Sequence, residues 1–400
     1  MRILFLQRNY NLGGVNVVTA TLANRLAAIG YKVSIFVFDD CIRGAEHLIS
    51  ESITQYAGVG YDRLHIRNVN LLRDVINKEK PDLILNNWAL NPHFISTIRY
   101  ALKLSACRPQ VWSEYHSAPN RNSQVARCDT LLAGNPGNGK RKAVLLKRKW
   151  MQRMAQNVLR YTYRHSDGFI VLSPSYIETF CQYIGVQPSE KVWCQINPLT
   201  VQSDGFVLNP TAKKKEILYV GRLDPDNKKV SRMLDVWQLL YNRFPDWSLT
   251  ILGDGPERPI LEKRVMVEHL PNVHIEGRKD PTEYYKRASI IGLCSDFEGF
   301  PLVLGEAMTF GCVPVAYGSV SSIYDIITHG KDGLIQPANV GFLPQKMAED
   351  MASLVASPNR LYAMMNEAKK KSEQFSLDAI IKQWQDKFEE KIIKKSHAGE

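Results

Sequence analysis

The segment 295–314 reads SDFEGFPLVLGEAMTFGCVP and carries two carboxylates, Glu298 and Glu306, eight positions apart. A helix is expected to begin near Pro301, which leaves Glu298 in the loop before it and sets Glu306 well inside it. Gly299, Phe300 and Pro301 then stand at a helix start, where unpaired backbone N–H groups and the positive end of the dipole suit an anion. A carboxylate beside such a site can accept from sugar hydroxyls, and one further along the helix can take a ribose diol. The same residues also fit a plain strand-to-helix turn whose Glu is paired to a nearby cation, because surface carboxylates are common.

Gly221-Arg222-Leu223 and the following Lys228 place two cations at the end of an apolar run, Glu216 to Val220. Arg offers a bidentate fork and Lys a mobile point charge, a combination that suits a diphosphate. A solvated basic turn is the competing reading. Asp224-Pro225-Asp226 has the spacing of a metal-binding pair, but Lys228 and Lys229 adjoin it and make a divalent cation redundant, so no metal is expected. His116 follows the apolar run Val111 to Tyr115 at its C-terminal end, where it could serve a ligand or a purely structural hydrogen bond.

The elements that must position these residues alternate. Ile3 to Leu6 is a short apolar run, followed by Gly13-Gly14 and a helical pattern through Val17, Leu22, Leu26 and Ile29. Strands are expected at 32–38, 82–86, 111–114 and 168–172, with helices between them. After Asn197-Pro198 the periodicity lapses, and 201–215 reads as an interdomain linker. The pattern then restarts with strands at 216–220, 248–252, 273–276, 290–294 and 313–316. Leu377 to Lys395 carries a helical stripe through Ile380, Ile381, Trp384, Phe388 and Ile392. Such alternation means parallel sheets covered by helices on both faces. The expectation is an α/β chain of two doubly wound domains, 1–200 and 201–376, with a terminal helix, 377–400, and with a cleft at the C-terminal strand ends. A dinucleotide fingerprint is missing: G-x-G-x-x-G follows neither the first strand nor Val220, and Gly253-Asp254-Gly255 matches only a fragment of it.

Composition narrows the class. With 44% hydrophobic and 23% charged residues the chain is globular, and its apolar runs fall far short of the roughly 20 residues that a bilayer span needs. Seven Cys without any C-x2-C pair suggest reduced thiols and a cytoplasmic protein. The net charge of +11 is unevenly placed: residues 1–200 hold 25 Lys and Arg against 13 Asp and Glu, while the remainder is close to neutral. No acidic residue lies between Asp129 and Asp167, a stretch with nine Lys and Arg. Written as a helix, 140–164 mixes these cations with Leu145, Trp150, Met151 and Met154, which points to an anionic membrane surface or, alternatively, to a stripe packed on the first domain. Nucleic acid is not expected, because few stacking aromatics are interleaved with the charge.

Taken together and in order, these features resemble the retaining nucleotide-sugar glycosyltransferases of family 4, with the GT-B fold of two tandem Rossmann-like domains. The resemblance rests on Glu298 to Glu306 as the E-x7-E motif, Gly221, Arg222 and Lys228, the Gly13-Gly14 loop, His116, and Asn197-Pro198. It implies that Arg222 and Lys228 neutralise a diphosphate leaving group, helped by the amides of Leu302 and Val303. It implies that Glu298 and the Gly299-Phe300 backbone orient the donor sugar, that Glu306 holds the ribose, and that main chain near Arg278 meets the base. His116 would lie near the transferring sugar, and Gly13 and Gly14 would border the same site. The expected donor is a uridine diphosphate sugar, with no cofactor, and the expected acceptor is a glycan or lipid-linked glycan in cell-surface polysaccharide or lipopolysaccharide synthesis. The expected location is the cytoplasm or the inner face of the plasma membrane. A sugar-nucleotide epimerase of the same architecture is the alternative. The chain departs from the family pattern at Gly318-Ser319-Val320, where relatives often carry Ser-Gly-Pro.

Overall fold

A computed structural model describes residues 1–11, 13–39, 44, 46–203 and 205–393. Two parallel sheets organise them. The first contains β1 (Arg2–Gln7), β2 (Lys32–Val37), β3 (Thr54–Ala57), β4 (Leu83–Asn86), β5 (Gln110–Tyr115), β6 (Gly168–Val171) and β7 (Val192–Cys194), in the order β3-β2-β1-β4-β5-β6-β7. The second contains β8 (Lys214–Val220), β9 (Ser248–Leu252), β10 (Val273–Gly277), β11 (Ala288–Leu293), β12 (Val313–Gly318) and β13 (Leu334–Pro337), in the order β10-β9-β8-β11-β12-β13. Both are Rossmann-like: the chain winds outward from a central strand in each direction, and helices cover both faces.

The central strands are apolar along their length because both faces are buried. Phe5 pairs with Ile35 on one side and Leu85 on the other, and all three are essentially inaccessible. Three strands escaped the sequence reading, namely β3, β7 and β13, and each lies at a sheet edge. An edge strand has one neighbour and an open side, so it needs no continuous apolar run. β3 reads TQYA and is mostly exposed, β7 is three residues long, and β13 ends in Pro.

The chain forms two compact units. One comprises 1–120, 149–200 and 377 onward; the other comprises 121–148 and 201–376. This differs from the expected boundaries, since Arg121–Arg148 groups with the second unit. The expected linker also differs. β8 begins inside it at Lys214, and Phe206 packs edge-on against Phe310 while its carbonyl accepts from Lys369 Nζ at 2.7 Å. The segment has no periodicity, yet Phe206 and Leu208 pack on the second unit while Val207 between them stays exposed. In the first unit, the Leu377–Phe388 helix buries Ile380, Ile381, Trp384 and Phe388, with Trp384 and Phe388 stacked on Trp112.

Candidate active site

The second unit brings Lys228 and Glu298 together. Lys228 Nζ donates to Glu298 Oε1 at 2.7 Å and Oε2 at 2.9 Å, across a sequence separation of 70. The pair is set by the turn after β8 and the loop after β11. Asp296 N donates to Asn227 O at 2.9 Å, and Cys294 Sγ lies 3.3 Å from Lys229 O, which ties the two loops together. Glu298 is buried, with its side chain 10% exposed, and the ammonium opposite it offsets the cost of that burial.

Arg222 has a different setting. Its side chain is 62% exposed and pairs with Asp224, whose other oxygen accepts from the amides of Asp226 at 2.9 Å and Asn227 at 3.2 Å. Asp224 therefore shapes the turn that carries Lys228. The turn needs Gly221 and Gly253. Both have positive φ, 157° and 153°, and a Cβ on Gly253 would stand 1.8 Å from Gly221 O. Two strand ends touch backbone to backbone there, with Gly221 N donating to Leu252 O and Leu223 N donating to Asp254 O.

After Pro301, which supplies no side-chain cap, the Leu302–Thr309 helix opens with the amides of Leu302 and Val303 at its positive end. Phe300 is buried against Phe375 at 5.7 Å, so what it offers a ligand is main chain. Gly299 is half-buried between Glu298 and Phe300. Glu306 lies inside the helix, and its Oε2 accepts from the Tyr285 hydroxyl at 3.1 Å. Burial and the Glu306 charge both raise the Tyr285 phenol pKa, which keeps it a donor. Arg278 is exposed directly after β10, whose last carbonyl, Gly277 O, accepts from Gly253 N.

In the first unit His116 stands beside Glu114, with Nε2 3.5 Å from Oε2. Asn197 Nδ2 faces His116 Nδ1 at 3.3 Å, so in this orientation the neutral ring carries its proton on Nε2. That separation would also serve an ion pair, but burial pushes His116 down to about 3 and Glu114 up to about 8. Two buried charges would cost more than their attraction returns, so the pair is neutral. His116 Nε2 is one of several buried polar atoms without a hydrogen-bond partner, together with Gln7 Oε1, Asn9 Nδ2, Asn16 Oδ1 and Asn87 Oδ1. Gln7 ends β1, Asn87 follows β4 and His116 follows β5, three adjacent strands. Orphaned polar atoms cost about 1–3 kcal/mol each, and a polyhydroxylated ligand is what would satisfy a group of them. Gly13 and Gly14 open the helix beside this edge. Gly13 N donates to Asn11 Oδ1 at 3.2 Å, and a Cβ on Gly14 would meet nothing within 4 Å.

The sequence reading missed Glu114, Tyr285 and the amide group. The amides had a signal: Gln7 and Asn87 each end an apolar strand, the same rule that singled out His116. Glu114 and Tyr285 had none, since their importance lies in what they touch.

A pH dependence follows from the neutral pair. Unfolded, Glu114 titrates near 4.5 and His116 near 6.5. From pH 6.5 to 8 the folded chain retains a Glu114 proton that the unfolded chain has lost, so stability falls as pH rises. Below 4.5 the unfolded chain holds a His116 proton that the folded chain refuses until pH falls to 3, so stability falls with acid. Between 4.5 and 6.5 the two contributions cancel. Each limb has a limiting slope of about 1.4 kcal/mol per pH unit. Glu114→Gln should flatten the alkaline limb and, because it removes the cancellation, extend the acid limb up to about pH 6.5 in denaturant titrations; an unaltered alkaline limb would mean that Glu114 is already ionised when folded.

Two family models match the chain: "Glycosyltransferase Family 4" over residues 12–194 and "Glycosyl transferases group 1" over 200–372. An "Uncharacterized glycosyltransferase" of Haemophilus influenzae is 32% identical over 176 residues, 43% of this chain and 48% of that relative, so the match spans about half the relative's length. A Campylobacter jejuni enzyme, GalNAc-alpha-(1->4)-GalNAc-alpha-(1->3)-diNAcBac-PP-undecaprenol alpha-1,4-N-acetyl-D-galactosaminyltransferase, is 23% identical over 96% of this chain and 97% of its own. Among solved structures, Anabaena HepE in complex with UDP superposes with a TM-score of 0.74 at 17% identity, covering 98% of this chain and 100% of that one.

Proposed function

Since the chain belongs to the glycosyltransferases of GT-B fold, we propose that it moves a hexosyl unit from a nucleotide diphosphate sugar to a glycan or lipid-linked acceptor, with retention of anomeric configuration. The observation that carries this reading is the Lys228–Glu298 pair at 2.7 Å, four residues before an uncapped helix start. Lys228, Arg222 and the amides of Leu302 and Val303 would receive the diphosphate, whose charge grows as the glycosidic bond breaks. Glu298 would accept from donor-sugar hydroxyls, and Glu306, oriented by Tyr285, from the ribose. Uridine is the base we favour, because HepE of the same fold is complexed with UDP. Polysaccharide or lipopolysaccharide synthesis is the setting we favour, in keeping with the Campylobacter relative's lipid-linked substrate.

Among the described residues no carboxylate stands out as a covalent nucleophile, so we favour departure and attack on the same face of the sugar. The bond from the anomeric carbon to the phosphate oxygen breaks, the acceptor oxygen bonds to that carbon, and its proton passes to the departing phosphate. His116, neutral at physiological pH, would act as a hydrogen-bond partner to a sugar hydroxyl. The epimerase alternative gains nothing from the family matches.

The test is a thermal-shift screen of UDP, GDP, ADP and dTDP sugars, followed by NMR of the sugar released without acceptor. A UDP-hexose at a hundred times its Kd should raise the Tm of the second unit by about 5 °C or more, and slow hydrolysis should release the α anomer first. Turnover should persist in excess chelator, because in this reading cations and helix amides would take the charge of the diphosphate. A screen with no shift, or a β product, would sink the donor reading or the retaining one respectively; loss of activity restored by Mn²⁺ would turn Asp224 and Asp226 into metal ligands.

A further inference from the structure

The Asn138–Arg164 helix is 27 residues long, about 40 Å at the rise of an α-helix, and only its C-terminal half is covered. Its buried residues are Ala155, Leu159 and Thr162, and Arg160 Nε is fixed there on Ile184 O at 2.7 Å. Toward the N-terminus the same helix exposes Leu146, Trp150 and Met154 by 69%, 59% and 46%. These stand at i, i+4 and i+8 and so form one ridge. Exposed Lys142, Lys147, Lys149 and Arg153 flank it, and no acidic residue occurs on the helix. Arg148 is drawn back to Asp129 of the Ser123–Ala133 helix at 2.6 Å, which anchors this end.

We propose that this face docks on an anionic lipid bilayer. A membrane interface offers what the face lacks: apolar depth for Leu146, Trp150 and Met154, and anionic headgroups at the level of the lysines. A nucleic acid or soluble polyanion would satisfy the cations and leave the ridge in water. A second copy of the helix would cover the ridge and set like charges against each other. The proposal does not rest on the donor reading, and the nucleotide-sugar thermal shift of the same variants reports on the second unit separately.

The test is co-sedimentation of the full chain with phosphatidylcholine vesicles and with equimolar phosphatidylcholine–phosphatidylglycerol vesicles, at low and physiological salt, beside heparin as a soluble polyanion. The wild type should favour the anionic vesicles, less so at higher salt. Leu146→Ser combined with Trp150→Ser, and separately Lys142→Glu with Lys147→Glu and Lys149→Glu, should each weaken vesicle binding about ten-fold or more. All these positions are exposed, and an unchanged Tm would confirm that the fold is intact. Heparin binding should depend on the lysines and ignore the ridge. Equal binding to both vesicle types, binding to neither, or serine variants that bind anionic vesicles like the wild type would overturn the proposal, the last in favour of a soluble polyanion.

Discussion

Lys228→Ala should lower kcat by about two orders of magnitude or more at saturating donor. On the proposed reading the ammonium has two tasks in the second unit. It faces the position assigned to the departing diphosphate, where charge grows in the transition state, and it neutralises Glu298, whose side chain is 10% exposed. Removing it leaves a buried carboxylate without its cation, so Tm should fall along with kcat. Arg222→Ala should match the loss in kcat and leave Tm nearly unchanged. Its guanidinium is 62% exposed, and Asp224 keeps the amides of Asp226 and Asn227 when the pair is broken. Measuring kcat and Tm for both variants separates the two tasks. Wild-type turnover in either would remove that residue from the leaving-group site.

The second large effect concerns stability. Gly253→Ala should destabilise the second unit by about 3 kcal/mol, because the new Cβ cannot be accommodated by a side-chain shift. It would stand 1.8 Å from the Gly221 carbonyl oxygen, a backbone atom, at a φ of 153° that L side chains rarely adopt. Either the β9 turn or the β8 turn must move, and the β8 turn carries Arg222 and Lys228. Activity should therefore fall with Tm. Gly14→Ala is the control, since its Cβ meets nothing within 4 Å, and it should leave the melting temperature close to that of the wild type. A Gly253→Ala protein that melts with the wild type would show that this close backbone approach is not needed for the fold.

The sequence by itself determined the elements whose logic is local. Central strands such as β1 and β4 are apolar because both faces are buried, and the helices between them repeat at their own period. The spacing of Glu298 and Glu306 and the placing of Gly221, Arg222 and His116 at strand ends were legible for the same reason: a residue directly after an apolar run must lie at one edge of a sheet. The charge imbalance was equally plain, since counting needs no fold. The tertiary structure decided whatever depends on partners far away in the chain. Edge strands β3, β7 and β13 are strands because a neighbour supplies their hydrogen bonds, which no local pattern announces. Lys228 meets Glu298 across 70 positions, and Tyr285 meets Glu306 across 21. Glu114 is neutral because folding buries it, although its neighbours in sequence say nothing of that. On the Asn138–Arg164 helix, packing covers the face of Ala155, Leu159 and Thr162 and leaves the Leu146–Trp150–Met154 ridge, which lies on another side, in solvent. Periodicity states which face of a helix is apolar; only the surrounding chain decides whether that face is already occupied.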